Sequence, residues 1–127
     1  MEFNTLIPEL SVKDIQKSKI FYLDVLGFQL NYERIEDQFA FISLNDAQMM
    51  IEQCNGHWQT GELEYPYGRG INFQIEIDNI EVLLQKLKEH NILLFRDLMI
   101  NSYSEFTQKE FIVQDPDGYL LRFCQSY

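Results

Sequence analysis

A chain of 127 residues is the size of one ordinary domain. With 46% hydrophobic and 24% charged residues it can fill a core and stay soluble, which excludes a disordered tail, a collagen-like repeat and a disulfide knot. Ten basic residues against twenty acidic ones leave a net charge of −10, a field that repels nucleic acid and anionic membrane surfaces and attracts small cations.

The longest apolar runs, such as Ile92 to Phe95, fall far short of the roughly 20 residues a membrane span requires. Met1 to Thr5 lacks the basic and apolar regions of a secretory signal, so a cytoplasmic protein is expected. Cys54 and Cys124 lie far apart without CxxC spacing, which favours reduced thiols over a metal knuckle or a bridge.

The first element in the chain is a short alternating strand, Ile7 to Val12, running into a helix over roughly 14–26. Ile15, Ser18, Tyr22, Val25 and Leu26 keep helical spacing, and Gly27 stands where a left-handed helix end prefers glycine. Three strand-like runs follow, Phe28–Ile35, Gln38–Leu44 and Gln48–Gln53, the last two joined by a turn at Asn45-Asp46. The pattern then repeats. Shifting by 65 residues lays Leu10 on Ile75, Val12 on Ile77 and Ile15 on Ile80.

In the second copy a strand near Asn72–Ile77 leads into a helix over roughly 78–90. Its apolar stripe is Ile80, Leu83, Leu84 and Leu87, and Lys86, Lys88 and His90 sit at its C-terminal end. The strands Ile92–Met99, Glu110–Gln114 and Tyr119–Gln125 follow, with Ile100 to Lys109 expected to be irregular. Asp115-Pro116-Asp117-Gly118 is a turn, with proline where φ near −65° is wanted and glycine where φ can be positive. These elements make an α+β chain of two βαβββ modules, approximately 1–54 and 70–127, joined by a link over 55–69; Asn55 to Gly70 holds four of the six glycines. Helices on one face of each antiparallel-rich sheet leave the other face open. Two such faces would enclose a cavity in a half-open eight-stranded barrel, the expected functional site.

Two motifs connect this pattern to a known family. Leu10-Ser11-Val12-Lys13-Asp14-Ile15-Gln16-Lys17-Ser18, with Phe21-Tyr22 and Val25-Leu26-Gly27-Phe28, resembles the opening signature of glyoxalase and bleomycin-resistance proteins, the vicinal-oxygen-chelate superfamily. Glu110-Phe111-Ile112-Val113-Gln114-Asp115-Pro116-Asp117-Gly118-Tyr119-Leu120-Leu121-Arg122-Phe123 resembles the closing signature. The resemblance covers both ends of the chain and implies the same fold, but one fold hosts many chemistries. Enzymes of this family hold a divalent metal with His or Glu, two from each module. Those positions fall here on Ile7, Glu52, Asn72 and Arg122. Isoleucine has no lone pair, asparagine offers a weak carbonyl oxygen, and arginine puts a fixed positive charge where the cation would sit. One competent ligand cannot make a catalytic metal site, which takes about three. No metal and no other cofactor is therefore expected, and Glu52 and Arg122 are expected to pair with each other.

Other catalytic patterns are absent. There is no GxSxG elbow and no glycine-rich phosphate loop, and neither His57 nor His90 falls on a ligand position. What remains is binding. Trp58, Tyr65 and Tyr67 crowd the link, and Tyr103 and Phe106 lie in the segment before the closing signature. In bleomycin-resistance proteins an aromatic nine residues before the Asp-Pro-Asp-Gly turn stacks on the drug, and here that position is Phe106. Aromatic faces beside carboxylates suit a planar cation. The expected ligand-binding residues are Glu52, Trp58, Tyr103, Phe106 and Arg122. The resemblance implies a homodimer that sequesters a cationic or aromatic small molecule, a bleomycin-type antibiotic being one candidate, in a pocket at the dimer interface. The alternatives are a lyase, transferase or dioxygenase-like enzyme, with Glu52 as a general base, and a binder of an unrelated metabolite.

Overall fold

Alternation decides the first strand. Leu10 and Val12 are buried while Glu9 and Ser11 point the other way, giving β1 (Glu9–Val12) one core face and one open face in a computed structural model that describes residues 1–127. Asp14 caps the helix that follows: its Oδ1 accepts from the backbone N–H groups of Gln16 at 3.0 Å and Lys17 at 3.3 Å. The helix α1 (Ile15–Lys19) widens at once into a π-helical segment, Ile20–Val25, closed by a hydrogen bond from Leu26 N–H to Phe21 O. The widened turn buries Phe21, Tyr22 and Val25, with Tyr22 edge-on to Phe21 and to Phe28. Gly27 then takes φ of 86°, the left-handed end the sequence predicts.

β2 (Gln29–Arg34), a 3₁₀ turn over Ile35–Asp37, β3 (Phe39–Leu44) and β4 (Ala47–Gln53) complete the first module. The sheet order is β1-β4-β3-β2, with β1 parallel to β4 and the other pairs antiparallel. Leu10, Val12, Met49 and Ile51 form the buried face of β1 and β4, and α1 packs against β4. Gln53, on that face, accepts a hydrogen bond from Ile15 N–H at 3.1 Å and so ties the last strand to the start of α1.

The chain divides into two compact units, Met1–Glu64 and Tyr65–Tyr127. The second repeats the plan with β5 (Asn72–Glu76), α2 (Ile80–Glu89), β6 (Arg96–Ser102), β7 (Thr107–Gln114) and β8 (Leu120–Ser126), in the order β5-β8-β7-β6. Helix α2 buries the predicted stripe, Ile80, Leu83, Leu84 and Leu87. Gln125 accepts from Ile80 N–H at 3.1 Å, the counterpart of the Gln53 bond. In the closing turn Asp115 Oδ1 accepts from the N–H groups of Asp117 and Tyr119, both at 2.9 Å, and Gly118 takes φ of 96°. The fold is thus α+β, two βαβββ modules as expected, with the eight strands in two open four-stranded sheets and no closed barrel.

One expectation fails. Ile100 to Lys109 is not irregular, because β6 and β7 run through it as a hairpin with Ser102 paired to Thr107. The segment is polar and mostly exposed because β6 is an edge strand, so burial leaves little periodic signal there.

Candidate functional site

The open face of the first sheet is built by register. Pairing brings Ser11 and Phe39 alongside Glu52, and Phe39 alongside Arg34, so these side chains share the face opposite α1 with Glu9 and Met50. Aromatic rings floor it. Tyr32 stacks on Phe41 at 5.2 Å with 16° between the planes, and Phe3, brought back along the sheet by Gln48, which accepts from Asn4 N–H and donates to Glu2 O, meets Phe41 edge-on at 5.5 Å. Arg34 lays its guanidinium over Phe39, Cζ 3.9 Å from the ring centroid, and its Nε donates to Asp37 Oδ2 at 2.9 Å.

On the same module opens a cleft of about 470 Å³ lined by Glu9, Arg34, Glu36, Asp37, Glu52 and Trp58, together with Gln38, Asn55 and His57. The volume lies within the range of small-molecule sites. Four carboxylates against one guanidinium give the cleft a negative potential. Its effect shows on Glu9, whose pKa is raised above the ordinary carboxylate value by burial first and by the Glu52 charge second, with Arg34 opposing. Asn55 holds the end of β4 in place: its Nδ2 donates to Glu52 Oε1 at 3.3 Å and its Oδ1 accepts from His57 N–H at 2.9 Å. Trp58 follows on the loop, 67% exposed, so its indole face is available to a ligand.

The open face of the second sheet has a different character. Arg122 on β8 donates from Nε at 3.1 Å and Nη2 at 2.8 Å to Glu110 Oε2, and from Nη1 at 3.2 Å to Asn72 Oδ1. Glu76 accepts from Ser126 N–H at 2.6 Å, from Ser126 Oγ at 2.9 Å and from Cys124 Sγ at 3.5 Å. Burial and the Glu76 carboxylate push the Cys124 thiol up to about 12, so it stays protonated and is no nucleophile. Tyr103 and Phe106 form the tip of the β6–β7 hairpin. Their ring centroids are 4.9 Å apart and both rings are half exposed.

A family model described as the Glyoxalase/Bleomycin resistance protein/Dioxygenase superfamily matches residues 5–123. The chain belongs to this superfamily. A bleomycin resistance protein of Geobacillus stearothermophilus is 31% identical over 94% of this chain and 95% of its own. A probable lactoylglutathione lyase of Vibrio parahaemolyticus serotype O3:K6 is 28% identical over 92% of this chain and 86% of its own. A solved glyoxalase/bleomycin resistance protein/dioxygenase from Alicyclobacillus acidocaldarius, 20% identical, matches the fold with a TM-score of 0.70 over 98% of this chain and 92% of its own.

Membership brings the metal positions back into view, and the residues present do not fit a metal. Asn72 and Arg122, both ligand positions by resemblance, are hydrogen-bonded to each other, and the guanidinium brings its own positive charge. Arg122, expected to pair with Glu52, takes its carboxylate from Glu110 instead. Glu110 sits diagonally across the β7–β8 ladder on the same face, a separation that a long side chain spans. The structure also resets the repeat. Ile15 and Ile80 are 65 residues apart, but the matching cap residues Gln53 and Gln125 are 72 apart. Met50 is therefore the counterpart of Arg122, and Cys124 that of Glu52. Most of the added residues lengthen the β6–β7 hairpin whose tip carries Tyr103 and Phe106.

Of the residues expected from sequence, Glu52 and Trp58 meet in the cleft, Tyr103 and Phe106 meet at the hairpin tip, and Arg122 is held by Glu110 and Asn72. Glu9, Arg34 and Asp37 were missed. The one available signal was Arg34 and Asp37 at i and i+3 before Phe39; Glu9 comes beside Glu52 only through the parallel pairing of β1 and β4.

Proposed function

We propose that this protein is a metal-independent binder that sequesters a cationic or aromatic small molecule, a bleomycin-type antibiotic being the leading candidate, without transforming it. One observation carries the reading. Arg122, which the resemblance assigns to a metal-ligand position, is neutralised by Glu110 and hydrogen-bonded to Asn72, which it assigns to a second, so these side chains hold each other. The 31% identity to a bleomycin resistance protein supports the same class of function. An acidic cleft with Trp58 in its wall and the Arg34–Phe39 stack at its side supports a cationic ligand, because stacking and cation–π attraction add to the carboxylate field. In this reading Glu52 and Trp58 contact the ligand, Tyr103 and Phe106 offer a stacking surface, and a homodimer completes the pocket. A reducing, cytoplasmic setting belongs to this reading, since Cys54 and Cys124 are thiols and not a disulfide.

The probable lactoylglutathione lyase among the relatives favours a second reading, an enzyme. Because three of the four metal positions are not ligands, such an enzyme would have to use a protein base, and Glu52 in the cleft is the residue placed for it. Calorimetric titration of metal-stripped protein with metal-free bleomycin separates the two. Saturable binding near one drug per chain, with the drug recovered intact and affinity lowered by Phe106→Ala, is the expected result. No heat with drug but a clear zinc or nickel isotherm would overturn the binder reading. Turnover abolished by Glu52→Gln would establish the enzyme.

A further inference from the structure

The cleft of the first module already contains a planar cation, and it belongs to the protein. Arg34 sits over Phe39, Cζ 3.9 Å from the ring centroid, and its Nε donates to Asp37 at 2.9 Å, with Glu9, Glu36 and Glu52 lining the same cavity as Arg34 and Asp37. An aromatic plate with a carboxylate at its rim is what an amidinium or guanidinium group would itself require. We propose that Arg34 is an internal occupant of this plate, and that an amidinium or guanidinium ligand binds by displacing the Arg34 side chain from Phe39 and Asp37. The proposal rests on the cation-binding reading above and assigns the place in the cleft where the cation is recognised.

The surroundings make the occupant easy to expel. Arg34 ends an edge strand, and the Arg34 and Asp37 side chains are 45% and 54% exposed. An exposed ion pair three residues apart holds weakly, so releasing the guanidinium to water costs little. The neighbours on β2 do not leave with it: Tyr32, which also hydrogen-bonds the Arg34 side chain, is stacked on Phe41, and Glu33 is bonded to Lys19 Nζ at 2.6 Å. Phe39 is buried in the sheet, and its ring stays in place as a flat surface when Arg34 moves away. The carboxylates then face the incoming cation without an internal competitor. A cation elsewhere in the cleft would instead be repelled by an Arg34 that stayed in place.

The probe is benzamidinium, planar, aromatic and singly charged, titrated into the full chain at low ionic strength by calorimetry and by NMR of arginine side chains. Arg34→Ala is expected to bind it about tenfold more tightly than the natural chain, because the competitor is gone and the like charge is removed. Arg34→Gln, which keeps the stem but not the charge, is expected to show a smaller gain, and it carries the test if the alanine variant perturbs the sheet. In the natural chain the Arg34 Nε–H resonance, displaced by the ring current of Phe39, is expected to move toward the free-arginine position at saturation. Binding in the natural chain with no gain in either variant, or an unmoved Nε–H resonance at saturation, would overturn displacement and leave the cation-binding reading standing. Failure of benzamidinium to bind the natural chain and both variants would overturn the two together.

Discussion

Replacing Arg122 by methionine tests what the Arg122–Glu110–Asn72 network contributes to the second module. The side chain of Glu110 is 7% exposed and that of Arg122 is 31% exposed, so the substitution strands a nearly buried carboxylate. At a charge separation of about 4 Å and an effective dielectric near 20 the lost attraction is about 4 kcal/mol. Because a third of the arginine side chain is in water, part of that attraction is screened, and we expect a net loss of about 2 kcal/mol. Methionine keeps most of the apolar stem, so little of the loss is packing. Urea unfolding followed by circular dichroism should show a midpoint lower by about 1 M, for a slope near 2 kcal/mol per molar. The double variant Arg122→Met, Glu110→Leu removes both charges and should return to within about 1 kcal/mol of the natural chain. A single variant within about 0.5 kcal/mol of the natural chain would refute the reasoning, because the pair would then not be desolvated. So would a double variant no better than the single, because the loss would then be packing rather than a stranded charge.

Two further outcomes follow from the same structure. The Cys124 thiol titrates near 12 in the fold against 9.0 for the unperturbed group, so the folded state keeps a proton that the unfolded state releases. Stability should therefore hold below pH 9 and fall as pH rises from 9 toward 12, by up to about 1.4 kcal/mol per pH unit from this group; Cys124→Ser should flatten that slope in alkaline unfolding curves. At Gly118, with φ of 96°, an added Cβ would come within 2.5 Å of Pro66 Cβ. Gly118→Ala should cost about 2–3 kcal/mol in thermal unfolding, and a variant melting with the natural chain would show that the turn relaxes freely.

The elements that could be read from sequence are those whose burial is periodic. Ile80, Leu83, Leu84 and Leu87 announce α2, and alternation announces β1, because each has one face in the core. The hairpin through Ile100 to Lys109 escaped because β6 is an exposed edge whose pattern no core face enforces. Candidate site residues divide in the same way. Glu52 and Trp58 could be picked out by position and type, whereas Glu9 and Arg34 reach the cleft through pairings between strands far apart in sequence. The partner of Arg122 was equally hidden. Both Glu52 and Glu110 are carboxylates, and only the β7–β8 register, which sets Glu110 against Cys124 and Ile112 against Arg122, selects Glu110.

The repeat shows where the two modules were held alike and where they were free to diverge. Both use a glutamine near the end of the last strand, Gln53 or Gln125, to accept from the first N–H of the helix, because that bond ties strand to helix in either copy. The open faces share no such constraint. In the second module Arg122, Glu110 and Asn72 satisfy one another, as do Glu76, Ser126 and Cys124, so that face has its strongest polar groups engaged within the module. In the first, Met50 stands at the counterpart of Arg122 and Phe39 at that of Glu110, so the same two positions are apolar and supply floor rather than an ion pair. The carboxylates around that floor point into a cleft whose one cation, Arg34, comes from the neighbouring edge strand. The Arg122–Glu110 pair cancels its own charge and the Glu76 carboxylate is engaged by three donors, so these groups offer a cation less than the surplus of carboxylates in the first module does. Under the proposed cation-binding function this difference puts the electrostatic part of recognition on the first module, and Glu52→Gln should accordingly weaken a cationic ligand more than Arg122→Met does.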